Sequence, residues 1–533
     1  MTEQIAFGGG PPDRRGVEVR ISGTALVGLD GAVDYLLEYP YGCLEQRTSR
    51  VRPLILAGEL LEDFELEALG GQREALIEAW LEDLKGYWTP EGFGLWSGST
   101  VAHPWVTAYV LSTLNAAASA GIPVDEAQRR EVAAVLERHV RQASARPEYL
   151  SIGAWNDTQA FMLRALGGAG RYLETEAARV ADALLADPAS SVDGMADLAG
   201  LLTAQNRLAP RRRALLDRIR SRLRVEATAA YAAAPASSGY AWIFASDTRA
   251  SAAALGALSA AGSDREIAEL LVQGLLGRRD GGHWANTQDN AAVVEALAAY
   301  RSAFEDGSGS VQVRAALAGR QLVQATIAGN SLEVTRGTAS GPEITGNELR
   351  IDVAGGRAYY SALVEEWVTP PAQGFARGLT VSRAVQRLDD SASPVGPLLR
   401  AGTPGLAAES GALYLVTVRL ESPTDRHYIV VEDPLPAGVE PVNTAFTTSR
   451  SDLAGQTGSD RWWGSFNHTE MRDDRVLLFA DYLGRGEHVY RYVVRGGAAG
   501  DFSWPGIRAE AMYDPGVQAL GPAGRLSVTR PAP

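Results

Sequence analysis

The stretch GGHWANTQDNAAVVEAL, residues 281–297, sets the reading of the fold. A glycine-rich turn closes on Trp284. An alanine-rich run with apolar residues at helical spacing follows, opened by Thr287. The pattern occurs three times earlier. GFGLW ends at Trp96 before TAYVLSTL, IGAW ends at Trp155 before TQAFMLRAL, and GYAW ends at Trp242 before TRASAAALGAL. Small residues let helices approach closely, and the indole rings fill the loop ends as core rather than as a site. Recurring helical hairpins build a solenoid or a closed ring. Here they predict a closed α/α toroid of about a dozen helices over residues 25–305.

After EDGSGS (305–310) the apolar period changes from helical to two. VQVRAALAGRQLVQATIAG, NELRIDVAG and RAYYSALVEEWV alternate like strands between glycine-rich turns, giving a β-module over 306–377. PPAQGFARG (370–378) reads as a boundary. Beyond it ALYLVTVRLE, HYIVVEDPLP, RVLLFADYL, HVYRYVVRGG and GRLSVTR predict a β-sandwich over 378–533. SPVGPLLRAGTPGLAAESG (393–411) is expected to be a loop, and residues 1–24 an extension holding one strand at most. RWWGSF (461–466) is an aromatic patch expected to dock other domains, since Trp462 and Trp463 cannot both point inward on a strand. The fold class is multidomain α plus β.

The chain has 533 residues, 46% apolar and 21% charged, with a formal net charge of −14. Such an acidic chain repels nucleic acid and anionic lipid, so neither is an expected partner. No apolar run is long enough to span a membrane, and the first residues are no signal peptide. No phosphate-binding loop, metal-ligand spacing or Ser-His-Asp pattern appears, so neither cofactor nor metal is expected.

There is one cysteine, Cys43, in YPYGCLEQRTSR (39–50). A lone cysteine excludes an internal disulfide and a cysteine-rich zinc site. A Cys nucleophile normally needs a base, and the six histidines form no recognisable Cys/His signature. A lone Cys is most often a small buried hydrophobe. The context points further. Cys43 and Gln46 lie within one turn of chain, and Gly42 relaxes the backbone before them. A thiolate could attack the Gln46 side-chain carbonyl and expel ammonia, leaving an internal thioester. That stored electrophile needs a dry sheath, for which Tyr39 and Tyr41, with Tyr35 nearby, are the candidates.

YGCLEQ resembles the thioester motif of the α2-macroglobulin and complement family. The longer YLLEYPYGCLEQRTSR looks most like its bacterial members. GGHWANTQDNAAVVEAL is similar to the family's Trp-x-x-Thr-Gln segment, and VEDPLPAGVEPVN and AEAMYDP to its C-terminal domain. The resemblance implies a toroid thioester domain, a CUB-like β-module and a C-terminal macroglobulin-like β-sandwich. It implies a single-use covalent protease trap rather than an enzyme. The partners would be target proteases, captured through lysine amines. Cys43 would be the leaving group, Gln46 the acyl donor, and Leu44 and Glu45 spacers, Glu45 being read as a solvated charge rather than as a residue that helps position the motif. It also implies macroglobulin and bait domains that this chain lacks, a periplasmic or extracellular location, and a membrane link solely through a lipid anchor outside this chain.

Some relatives pass the acyl group through a histidine. His139 lies in a comparable stretch, but LERHVRQ reads as a helix with His on its polar face. His103 and His283 are expected to pack loops. Three other readings stand beside the trap. One is a structural or adhesive module of the family whose thioester never forms. Another is adhesion by the same thioester chemistry on a host-surface amine. The last is a terpene-cyclase-like toroid, which needs a cluster of aspartates inside the ring. The pairs Asp389–Asp390 and Asp473–Asp474 fall in the β part, and the ring is expected to hold no such cluster.

Overall fold

In the computed structural model the described residues are 1–8, 14–56, 72–142, 146–236, 238–305, 307, 309–367, 374–400, 406–443, 457–459 and 466–531. The chain forms two compact units, Met1–Val368 and Thr369–Pro533.

Twelve helices of more than one turn lie among the described residues of the first unit: α1 Leu29–Glu38, α2 Leu44–Leu56, α3 Arg73–Asp83, α4 Pro104–Ser119, α5 Glu126–Arg141, α6 Ile152–Gly168, α7 Glu174–Ala186, α8 Val192–Ala204, α9 Ala209–Arg222, α10 Asp247–Ala261, α11 Arg265–Leu276 and α12 Thr287–Phe304. The even-numbered helices pack in sequence, and α12 returns to α2, which closes an inner ring. Each odd-numbered helix packs outside that ring. The two layers follow from side-chain size and pattern. On the outer helix α5 the buried residues are Val132, Ala133, Val135, Leu136, His139 and Val140, a single apolar stripe. The inner helix α10, by contrast, buries Ala250, Ala252, Ala254, Leu255, Ala257 and Leu258, whose small side chains let neighbours on both sides approach.

The repeat takes two local forms. Before α12, Trp284 does close a loop. Its ring is buried, its Nε1 donates to Leu275 O at 2.8 Å, and Asn290 Nδ2 donates to Trp284 O at 2.8 Å. In the second copy, however, Ser151 caps α6, so IGAW forms the helix's first turn rather than a loop. Threonine opens α12 at Thr287, whereas α4 starts at Pro104, ahead of Thr107, and α6 at Ile152, ahead of Thr158. Trp96 and Trp155 are buried as expected, while Trp242 is half-buried.

The N-terminal segment corrects the expectation of one strand at most. It supplies two, Thr2–Ala6 and Arg15–Ser22. The first pairs with Glu348–Ala354, at the edge of a sheet that also contains Ser310–Leu317 and Arg320–Ala328. The second lies between Tyr359–Glu366 and Thr335–Ser340. Its partners sit more than 300 residues away, so no local pattern could show that the short stretch would be claimed twice. Alternation does hold where it was read: Val311, Val313, Ala315 and Leu317 point inward from Ser310–Leu317. The module is tied to the ring by Glu305, which accepts from Thr24 Oγ1 at 2.6 Å and Ala25 N at 2.9 Å.

In the second unit one six-stranded antiparallel sheet has Arg426–Pro434 between Arg508–Ala511 and Arg475–Leu483, and another has Leu413–Ser422 beside Gly486–Gly496. Their inner faces share a core that includes Val416, Val418, Ile429, Val431, Leu478 and Tyr492. The stretch 393–411 is not all loop. Pro394–Arg400 forms an exposed edge strand on Thr380–Leu388, and Leu406–Glu409 runs parallel to Gly524–Thr529. Proline and glycine masked the edge strand, which is where a sheet tolerates them. Trp462 and Trp463 lie outside the described residues.

Candidate functional site

Cys43 sits at the start of α2. Its carbonyl accepts the first helical bond, from Arg47 N at 3.0 Å, so Cys43 occupies the N-cap position. Gln46 is then the third helical residue, and its Oε1 accepts from Cys43 N at 3.1 Å. This is half of a capping box, with a thiol where Ser or Thr usually stands. That geometry explains the Cys-x-x-Gln spacing physically. The cap folds the Gln46 carboxamide back over the helix end, to the residue that carries the thiol. Both side chains are buried, and Cys43 is in no disulfide.

The turn ahead of α2 is held from several sides. Leu44 N donates to Leu95 O at 2.8 Å, and Tyr87 Oη donates to Gly42 O at 3.2 Å. Arg50 donates to Tyr39 O at 2.7 Å and Leu36 O at 3.1 Å. Gly42 itself is neither left-handed nor crowded, so conformation alone does not demand glycine there. Tyr39 and Tyr41 are buried and meet edge to face at 5.4 Å. Tyr35 packs on Tyr39 at 5.5 Å, and His283 stacks on Tyr35 at 4.2 Å. Gly31 makes the last contact possible. A Cβ there would lie 2.7 Å from Gly282 O, so the 281–284 loop could not settle on α1. The aromatic cover thus gains a histidine from the far end of the ring sequence.

Glu45 corrects the reading as a solvated charge: its exposure is 0%. Its carboxylate accepts from Ser49 Oγ at 2.5 Å, Thr287 Oγ1 at 3.0 Å and Gln288 Nε2 at 2.6 Å. Ser49 Oγ lies 3.0 Å from Tyr109 Oη, whose ionisation burial pushes far up, so Tyr109 stays a neutral phenol. Leu44 is also buried. Sequence reading missed Ser49, Tyr87, Leu95 and Tyr109. Thr287 and Gln288 were visible in the quoted segment, but nothing in the sequence linked them to Glu45.

The other histidines divide. His139 is buried on α5 rather than on its polar face, with Nε2 3.4 Å from Glu91 Oε2, and burial lowers its pKa. His103 caps α4: its Nδ1 accepts from Val106 N, so Nε2 carries the proton toward Trp242 O at 3.0 Å. Burial pushes its pKa down to about 4. The unfolded chain therefore binds more protons between pH 6.5 and 4. The His103 contribution is fully present above about pH 6.5 and is lost as pH falls toward 4, by about 3 kcal/mol in all. Asp289, pushed up to about 6 by burial, gives a slope of opposite sign in part of that window. The contribution of His103 is therefore read as the difference between wild type and His103→Asn in urea midpoints from pH 7 to 4.5. Wild type should lose stability relative to the variant as pH falls, and a constant difference would contradict this.

Contrary to expectation, the ring does gather acids. Asp193, Asp197 and Glu295 line a cavity of about 230 Å³ between the inner helices. Each is matched by an arginine: Asp193 with Arg249 at 2.8 Å, Asp197 with Arg164 at 2.9 Å, and Glu295 with Arg52 at 2.8 Å. Among the described residues no group of three or more acids, His or Cys could hold a metal ion, and no helix is long and apolar enough to cross a membrane. The acids form a charge-balanced belt, which argues against ionisation of an isoprenoid there.

Comparison with known proteins places the chain in context. Residues 378–516 match the family described as "Bacterial Alpha-2-macroglobulin MG10 domain". An α2-macroglobulin homolog of Nostoc is 28% identical over 276 residues, 51% of this chain and 14% of that protein. The α2-macroglobulin of Xylella fastidiosa is 25% identical over 549 aligned positions, covering 97% of this chain and 31% of its own length. The chain thus spans less than a third of the curated relatives it matches. A crystal structure of Escherichia coli α2-macroglobulin, from domain MG7 to the C-terminus, superposes with a TM-score of 0.76 at 20% identity. It covers 99% of this chain and 80% of that one.

Proposed function

We propose, for a chain that is a relative of the C-terminal part of bacterial α2-macroglobulins, that Cys43 and Gln46 form an internal thioester that captures amines covalently. The observation that carries this reading is the Cys43 N–H to Gln46 Oε1 bond of 3.1 Å, inside a buried aromatic turn. In forming the thioester, Cys43 Sγ bonds to Gln46 Cδ, the Cδ–Nε2 bond breaks, and the thiol proton leaves with nitrogen as ammonia. The hydrogen bond to Oε1 and the partial positive charge of the α2 N-terminus favour the negative charge that develops on that oxygen. Tyr39 and Tyr41, with Tyr35 and His283 behind them, keep water from the acyl carbon.

In capture, an amine nitrogen bonds to Gln46 Cδ, the Cδ–Sγ bond breaks, and the amine proton passes to the departing sulfur. The products are an amide and a free Cys43 thiol. The amines are those of protease lysines, so the chain acts as the thioester-bearing portion of a single-use protease trap in the periplasm or outside the cell. Macroglobulin and bait domains beyond this chain supply the trigger, and a lipid anchor beyond it any membrane link. Within the chain we assign residues 25–305 to the thioester domain and 378–533 to the macroglobulin-like sandwich. The CUB-like module combines 306–377 with the two N-terminal strands. Intact mass tests the thioester directly. Untreated protein should be lighter than its sequence by one ammonia and lack a free thiol. Methylamine should add to Gln46 and release one thiol. Full sequence mass with a free thiol before treatment would refute the reading.

A further inference from the structure

Glu45 occupies an unusual place for a carboxylate. It is fully buried, one residue before Gln46, in the first turn of the helix that begins the inner ring. Its partners come from the helix that ends the ring: Thr287 and Gln288 open α12 and donate at 3.0 and 2.6 Å. Ser49, one turn along α2, donates at 2.5 Å and also receives a bond from Gln288 Nε2 at 3.0 Å. A buried carboxylate is costly unless donors surround it, so this set of donors fixes one rotation of the first turn of α2 against α12. The negative charge also suits a helix N-terminus. Rotation of that turn decides where the neighbouring Gln46 side chain goes. In the observed rotation it reaches back to Cys43 N at 3.1 Å.

We propose that Glu45 is a positioning residue for the Cys43–Gln46 pair, clamped by Thr287 and Gln288 so that closing the helical ring presets the geometry for thioester formation. The proposal rests on the thioester reading above. It gives Thr287 and Gln288, more than 240 residues away in sequence, a role at a bond they do not join.

The test compares the full chain with Glu45→Gln, Thr287→Val and the exchange Glu45→Gln/Gln288→Glu. The exchange returns one donor and one acceptor to the contact. The readouts are the fraction of chains lacking one ammonia, the methylamine-releasable thiol, and the melting temperature. Loss of a charge-assisted set of bonds predicts about a tenfold or greater fall in thioester content for Glu45→Gln. Thr287→Val should show a smaller fall, and the exchange variant should recover part of the loss. A purely structural role would move the melting temperature without changing the thioester fraction of folded chains. Wild-type thioester content in a folded Glu45→Gln would overturn the proposal, as would a wild-type content in Thr287→Val should Glu45→Gln fail to fold. A wild-type chain without any thioester would instead overturn the function on which it rests.

Discussion

Cys43→Ala is expected to yield a folded chain that takes up no amine at all. The thiol is buried, so its loss removes one sulfur from a packed turn, costing about 1–2 kcal/mol for a site of that size. Three sets of bonds that hold the turn run through other groups. Leu44 N still reaches Leu95 O, Arg50 still grips Tyr39 O, and Glu45 keeps its donors. Methylamine uptake and the ammonia mass deficit, in contrast, should both fall to zero, because no other cysteine exists to take the acyl group. Gln46→Glu separates the two partners of the bond. It keeps an oxygen for the Cys43 N–H but removes the amide leaving group, so thioester formation should fail while the cap persists. Labelled methylamine and thiol titration on the same preparations decide the matter. Uptake that survives Cys43→Ala would place the reactive group elsewhere.

The second large effect is on stability. Arg383→Met should destabilise the second unit by about 3–5 kcal/mol, because it leaves a buried carboxylate without its counter-charge. The Arg383 and Asp433 side chains both have 0% exposure. Arg383 Nη1 donates to Asp433, Nη2 donates to Pro505 O at 2.6 Å, and the guanidinium lies 4.3 Å from the Trp504 ring centre. Tyr492 Oη donates to the other Asp433 oxygen at 2.7 Å. Burial beside that carboxylate pushes the Tyr492 pKa far up, so the phenol remains a donor at any ordinary pH. The triple variant Arg383→Met/Asp433→Leu/Tyr492→Phe removes the charges together and should regain most of the loss, since a buried pair replaced by apolar groups costs little. Urea unfolding followed by near-ultraviolet circular dichroism reports both. A single variant as stable as wild type would show that Asp433 does not need its partner.

The two predictions draw on different kinds of legibility. The Cys43–Gln46 pair was readable because a thiol and a carboxamide three residues apart form a local object. One helix cap brings them to the same end, and chain spacing alone places them. The Arg383–Asp433 pair was not readable. The two residues sit in ordinary strand patterns 50 positions apart, and sheet packing makes them neighbours. Strands were missed where a partner lies far along the chain and where proline marks a sheet edge. Thr2–Ala6 pairs with Glu348–Ala354, and Pro394–Arg400 sits on a sheet edge where proline is tolerated.

By itself, then, the amino-acid order determined what depends on neighbours in sequence. It determined the run of helices with small residues on shared faces, the change of period from helix to strand near residue 306, and the placement of Cys43 and Gln46 together at the head of α2. Tertiary structure decided what depends on closure. It buried Glu45 under Thr287 and Gln288, laid His283 on Tyr35, and matched Asp193, Asp197 and Glu295 with arginines. The physical reason is the cost of burial. Whether a charge or a ring is solvated or enclosed is set by which helix arrives opposite it. In a closed ring that helix can come from the far end of the sequence.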